Sequence, residues 1–218
     1  MSKQRLQYSE KLRRLTITGM LIAITALLTF TPIGMIPLPP PLLAVTMVHI
    51  PVLVAALCEG TLVGVITGFC FGLFSCIRAF QLGASGLTIF FMDPLVSVFP
   101  RVVVALVAVG FIWLWRRFVK NDGALEKVGM TIGAILGSIT NTTCCLGMLW
   151  LRYGDELNNY INEMVQAGTA TEGYANNAGA WLIAVVGVPN GVAEAVVAAI
   201  IVPILVVAIS KTKKRKRI

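Results

Sequence analysis

Four ionisable residues of this chain sit in otherwise apolar sequence: His49, Arg78, Arg101 and Glu194. Asn141, flanked by Thr140, Thr142 and Thr143, and Asn190 add amides and hydroxyls to the same kind of surroundings. Inside a membrane span, an ionisable group costs about 2.5–3.5 kcal/mol on insertion scales, so each needs a partner or a task. Arg101 suits a carboxylate, because its guanidinium stays charged and offers paired donors. The imidazole, amides and hydroxyls suit hydroxyl and amide groups of a ligand. Internal roles are open too. Arg101 can pair with Glu194 or Asp93, His49 and Asn141 can bond between helices, and Arg78 can snorkel to headgroups. The set as a whole, more than any member, describes recognition of a small polar molecule.

Composition says what must position these groups. The 218 residues are 57% hydrophobic and 13% charged, with mean hydropathy +0.84. Soluble domains run near 45–50% apolar and about 25% charged. The charge-free runs Leu15–Cys58, Val128–Leu151 and Gly173–Ala193 are long enough to cross a hydrocarbon core about 30 Å thick. The chain reads as an all-α, polytopic membrane protein, which excludes a soluble enzyme, a secreted disulfide scaffold and a disordered chain. No phosphate-cradling G-x-x-x-x-G-K-[ST] occurs, so ATP-driven work falls to other chains. Cys58, Cys70, Cys76, Cys144 and Cys145 all fall within spans, where they pack as small apolar residues.

Six spans are expected: Leu15–Thr31, Leu42–Cys58 with a kink at Pro51, Thr61–Phe80, Pro94 to Trp113–Trp115, Val128–Leu151 and Ala180–Ile209. Pro37-Leu38-Pro39-Pro40-Pro41 links the first two, Glu59-Gly60 turns tightly into the third, and Gln81–Asp93 forms a surface or re-entrant loop. One membrane domain, 15–209, thus lies between basic tails 1–14 and 210–218. Six spans put 15 of the 18 basic residues on one side, in the two tails and in the connection carrying Arg116, Arg117, Lys120 and Lys127. The positive-inside rule makes that side cytoplasmic, with Trp113 and Trp115 at the inner interface and Trp150, Tyr153 and Trp181 at the outer one. At 1.5 Å per residue, His49 and Arg101 lie roughly 10 Å below the outer surface and Asn141 and Asn190 roughly 15 Å. Glu194 is nearer the midplane and Arg78 at the outer end. The polar groups therefore converge on a cup open to the outside, which Gln81–Asp93 could close.

Enzymatic readings fare poorly. Gly83-Ala84-Ser85-Gly86 matches the G-x-S-G string of rhomboid intramembrane proteases, whose serine needs a histidine on a later helix. His49 is the only histidine and lies upstream. With no nucleophile–base pair and no metal-ligand spacing, no catalytic residue, metal or cofactor is expected. A proton-coupled carrier using Glu194 is a further reading, weakened by the lack of an internal repeat.

In order along the chain, Phe30-Thr31-Pro32-Ile33-Gly34-Met35-Ile36-Pro37, Val48-His49-Ile50-Pro51-Val52, Phe71-Gly72-Leu73 with Ser75 and Arg78, Phe99-Pro100-Arg101 and Gly137-Ser138-Ile139-Thr140-Asn141-Thr142 resemble the substrate-binding S component of an energy-coupling factor (ECF) vitamin transporter. The pantothenate-type (PanT-like) branch is the nearest likeness. The resemblance implies a six-helix bundle in a bacterial cell membrane, with both ends cytoplasmic and an outward pocket roofed by the first, third and fifth loops. It implies partners: a vitamin, an EcfT-like scaffold and two EcfA-like ATPases that use the ATP, with no nucleic acid. Substrate contacts are then expected from Arg101, Asn141, His49, Arg78, Thr142, Asn190 and Glu194. Pantothenate supplies a carboxylate, an amide and two hydroxyls for that set, while folate, pyridoxamine and thiamine are alternatives. Scaffold docking through small residues of the first helix falls to Gly19 and Ala23, with Leu27 interrupting the spacing. Glu59 occupies a turn where relatives commonly have an apolar residue.

Overall fold

Long apolar runs form the long helices of the computed structural model, which describes residues 3–36, 45–83, 86–119 and 123–215. They are α1 (Lys3–Phe30), α2 (Ile50–Glu59), α3 (Thr61–Leu82), α4 (Pro94–Phe118), α5 (Gly123–Gln166), the short α6 (Ala178–Trp181) and α7 (Val188–Arg215). A π-helical stretch, Leu182–Gly187, joins α6 to α7, and a 3₁₀ segment, Gly86–Met92, leads into α4. Among the described residues, five helical stretches are long and apolar enough to cross a membrane: Glu10–Phe30, Thr61–Leu82, Pro94–Phe118, Leu125–Gln166 and Ala178–Ile209.

The second expected span is different. Of its described residues only those from Ile50 onward are helical, in Ile50–Glu59, and Pro51 stands in the first turn, where a missing N–H leaves no bond unmade. Pro51 therefore starts a helix instead of kinking one. Before it, Val45–Thr46 pairs antiparallel with Met35–Ile36, Met35 facing Thr46 and Ile36 facing Val45. Ten residues at 1.5 Å each give α2 a length of about 15 Å, half a bilayer core. The proline-rich linker and Leu42 lie outside the described residues, as do Ala84, Ser85 and Lys120.

Other boundaries shift as well. Helix α1 begins within the expected tail. Helix α5 continues past Leu151 to Gln166 across a kink at Tyr153 (φ −133°, ψ 30°), because Leu157 and Ile161 bury an apolar stripe against Phe90 and Trp181. Trp181 is consequently core, not part of an interfacial belt. Trp113 and Trp150 remain exposed.

Glycines let the helices approach. A Cβ on Gly72 would stand 2.5 Å from Val98 Cα, and one on Gly68 would meet the Arg101 carbonyl, so α3 lies directly against the backbone of α4. Gly64, Gly68 and Gly72 meet Ala105, Arg101 and Val98 in turn, so the two helices run antiparallel. Helix α2 is buried from Ile50 to Leu57 and packs against α1, α3, α4 and α7. Gly60, with φ +93°, makes the turn from α2 into α3, a left-handed conformation open to glycine.

Candidate functional site

The polar residues of the apolar helices meet where α4, α5 and α7 face Thr46. They line a cavity of about 130 Å³ that includes Thr46, Arg101, Asn141, Thr142, Asn190 and Glu194, with Leu87 and Phe91 of the 3₁₀ segment beside them. Asn141 and Cys145 share a face of α5 at a spacing of four, as Asn190 and Glu194 do on α7. The cavity is smaller than the ~300–1,000 Å³ of most ligand sites. A larger furrow, about 870 Å³, runs between α5 and α7 along the surface bearing the exposed Ile183, Val188, Val192 and Val196. Its lining is apolar apart from the two threonines, and it offers no charge to a solute.

Arg101 is 6% exposed. Its Nη1 donates to the Val96 carbonyl at 3.2 Å and to Cys145 Sγ at 3.0 Å, while Nε has no partner. The guanidinium lies 5.3 Å from the Phe71 ring centroid and 5.5 Å from that of Phe91, favourable but weak contacts for a desolvated cation. Neither acid that could have neutralised it does so. Glu194 Oε1 accepts from the Thr46 N–H (3.0 Å) and hydroxyl (2.6 Å), and Oε2 accepts from the Thr142 hydroxyl (3.2 Å). Asp93 accepts from Arg152, Tyr153 and the Leu95 N–H. Among the described residues, Arg101 is a buried cation with no carboxylate partner.

Around it, the side-chain oxygens of Asn141 and Asn190 are buried without a hydrogen bond, and so are both nitrogens of His49. Buried polar atoms in folded proteins are nearly always bonded, so the unbonded amide oxygens of Asn141 and Asn190 in the wall shared with this cation make the cavity a candidate recognition site. The arrangement offers a charged fork, two amides and the Thr142 hydroxyl. No group of three or more potential metal ligands occurs among the described residues.

Of the residues expected from sequence, Arg101, Asn141, Thr142, Asn190 and Glu194 come together. His49 does not reach the cavity surface: it is 1% exposed and stands behind Thr46 at the head of α2. Arg78 is half-buried, with Nη1 unpartnered, and is not part of the cavity wall. It lies one turn from the end of α3. Leu87 and Phe91 belong to Gln81–Asp93, the segment expected to close the cup, whereas Thr46 and Cys145 were not singled out as site residues. Thr46 and Cys145 had a usable signal, since they lie three residues before His49 and four after Asn141.

At the rim, Asp93 caps α4 through the Leu95 N–H at 2.8 Å. Burial pushes its carboxyl pKa up, but the Leu95 N–H, the Tyr153 hydroxyl and the Arg152 guanidinium together outweigh burial and hold it below the ordinary value. This cluster ties the 3₁₀ segment, which touches the cavity, to the kink of α5.

A bundle of membrane-length helices enclosing a small, charged cup defines a membrane-embedded solute-binding protein. The chain belongs to the family of ECF transporter substrate-specific components, whose sequence profile matches residues 13–206. Among curated proteins, no sequence matches it. Members of the family are integral membrane subunits that bind a transported substrate, and the protein is accordingly not an enzyme.

Proposed function

We propose that this S component binds a small carboxylated vitamin, with pantothenate as the leading candidate, and delivers it for ATP-dependent import. One observation carries the reading: Arg101 is a buried guanidinium without an acidic partner among the described residues. Leaving a charge so placed is costly, and an incoming carboxylate relieves that cost through paired, charge-assisted hydrogen bonds. Asn141, Asn190 and Thr142 then serve the amide and hydroxyls of pantothenate, with Glu194 accepting from a ligand hydroxyl in exchange for a threonine. His49 acts from behind Thr46. Because the cavity is small, Leu87 and Phe91 move outward to admit a ligand of this size.

In this reading the chain crosses a bacterial cytoplasmic membrane six times, with Val45–Thr46 and α2 completing the second crossing. Both basic ends face the cytoplasm and the cup faces out, as the positive-inside rule favours. An EcfT-like scaffold meets α1 at Gly19 and Ala23, both exposed, and nothing lies within 4 Å of a Cβ on Gly19. Close helix packing in lipid favours such small residues. Two EcfA-like ATPases supply the energy.

The test is uptake of labelled pantothenate by cells lacking their own importer, expressing this chain with or without scaffold and ATPases. Uptake that needs all the subunits and cellular ATP supports the reading. Uptake by the chain alone, driven by a proton gradient, contradicts it. Competition by unlabelled folate, pyridoxamine or thiamine, with none by pantothenate, would reassign the substrate and keep the transporter class.

A further inference from the structure

The carboxylate of Glu59 is fully buried at the end of α2 opposite the cup, with 0% side-chain exposure. Arg13 of α1 grips it with both terminal nitrogens, Nη1 to Oε1 and Nη2 to Oε2, each at 3.0 Å. Arg14 Nε adds a longer contact of 3.8 Å. A buried acid held by a two-pronged arginine is geometrically specific, and it binds α1 to the corner between α2 and α3.

Helix α1 needs such a tie. Among its described side chains only Leu21, Thr25 and Thr29 are buried. The two threonines donate to carbonyls of α1 itself, at 2.7 Å each. At its other end, Gly34 packs directly on the Leu28 backbone. Between these two anchors, Gly19, Met20, Ala23, Ile24 and Leu27 are exposed.

Helix α2 joins the clasp to the cup. Glu59 is its last residue and His49 its N-cap, while Thr46, just before, donates twice to Glu194. A buried rod about 15 Å long therefore starts four residues after the cup residue Thr46 and ends at the grip on α1.

We propose that Glu59 is a positioning residue: through Arg13 it fixes α1 to this rod, so that the exposed face of α1 is held in register with the cup. Resting on the transport reading above, this assigns Glu59 to coupling and not to substrate binding.

Three measurements on Glu59→Gln and on the charge swap Arg13→Glu/Glu59→Arg test it: pantothenate titration, uptake with the coupling subunits, and hydrogen exchange of the α1 backbone in detergent. Glu59→Gln should bind pantothenate within about twofold of wild type and import at least about tenfold more slowly. Its α1 amides should exchange roughly tenfold faster while those of α4 and α5 do not change. The swap should recover much of both losses. Wild-type import with unchanged α1 exchange in Glu59→Gln overturns the proposal. So does a loss of binding as large as the loss of import, which would make the clasp a general fold element. Hydrogen exchange needs no substrate, so it reads the clasp even where pantothenate proves not to be the ligand.

Discussion

Arg101 combines two properties that rarely coexist, deep burial and the lack of an acidic partner among the described residues. Phe71, Phe91, a carbonyl and a thiol surround it with weak acceptors, which favour the cation without neutralising it. Arg101→Lys keeps the charge but loses the planar fork. It is expected to weaken pantothenate about tenfold or more, since charge-assisted hydrogen bonds contribute roughly 1.5–3 kcal/mol; competition binding with labelled ligand measures this. Asp93 is the residue with a pH signature. A carboxyl whose folded pKa is lowered stabilises the fold above its ordinary value, here 3.8, and that contribution disappears as pH falls through the lowered value. Thermal melts in detergent from pH 6 to pH 3 should show wild type losing stability at the acid end, with Asp93→Asn showing a smaller acid-dependent fall. Residues of this kind are legible in a sequence only when their type contradicts their surroundings. Arg101, Asn141, Asn190 and Glu194 do so, whereas Cys145 looks like ordinary apolar filling. Arg78 contradicts its surroundings equally well and stands near the end of α3, outside the cavity lining.

Helices are held at two kinds of contact, glycine faces and polar clasps. Gly72 seats α3 on the backbone of α4 one turn from Arg101, and backbone has little room to yield. Gly72→Val should therefore cost about 1–3 kcal/mol or more through overpacking. It should also weaken substrate binding, because the shift displaces the helix that carries Arg101. A melting curve and a titration on the same preparation check both effects. The long helices follow from apolar length alone, so α3, α4 and the core of α7 were legible. Helix α2 was not, because Pro51 reads equally as a kink or as a first turn, and the choice depends on tertiary pairing of Val45–Thr46. The second half of α5 was hidden by its polar composition. Leu157 and Ile161 are spaced one turn apart among charges and amides, and what they bury against comes from distant segments.

At the scale of the molecule, charge is divided by end. Basic residues gather at the chain termini and the connection between α4 and α5, while Asp155, Glu156, Glu163 and Glu172 belong to the segment on the cup side. The long axis thus carries a cup at one end and, through α2 and Glu59, a clasp on α1 at the other. The family assignment sets what this body is for, and the proposal is that the guanidinium of Arg101 selects what it recognises. The most direct measurement is calorimetric titration of the purified chain with pantothenate and with its alcohol analogue, which lacks the carboxylate, in wild type and in Arg101→Ala. The expected result is that wild type prefers the acid by about tenfold or more, and that Arg101→Ala binds acid and alcohol alike and weakly. Equal binding of acid and alcohol by wild type, or a preference for the acid that survives in Arg101→Ala, would contradict carboxylate recognition by Arg101.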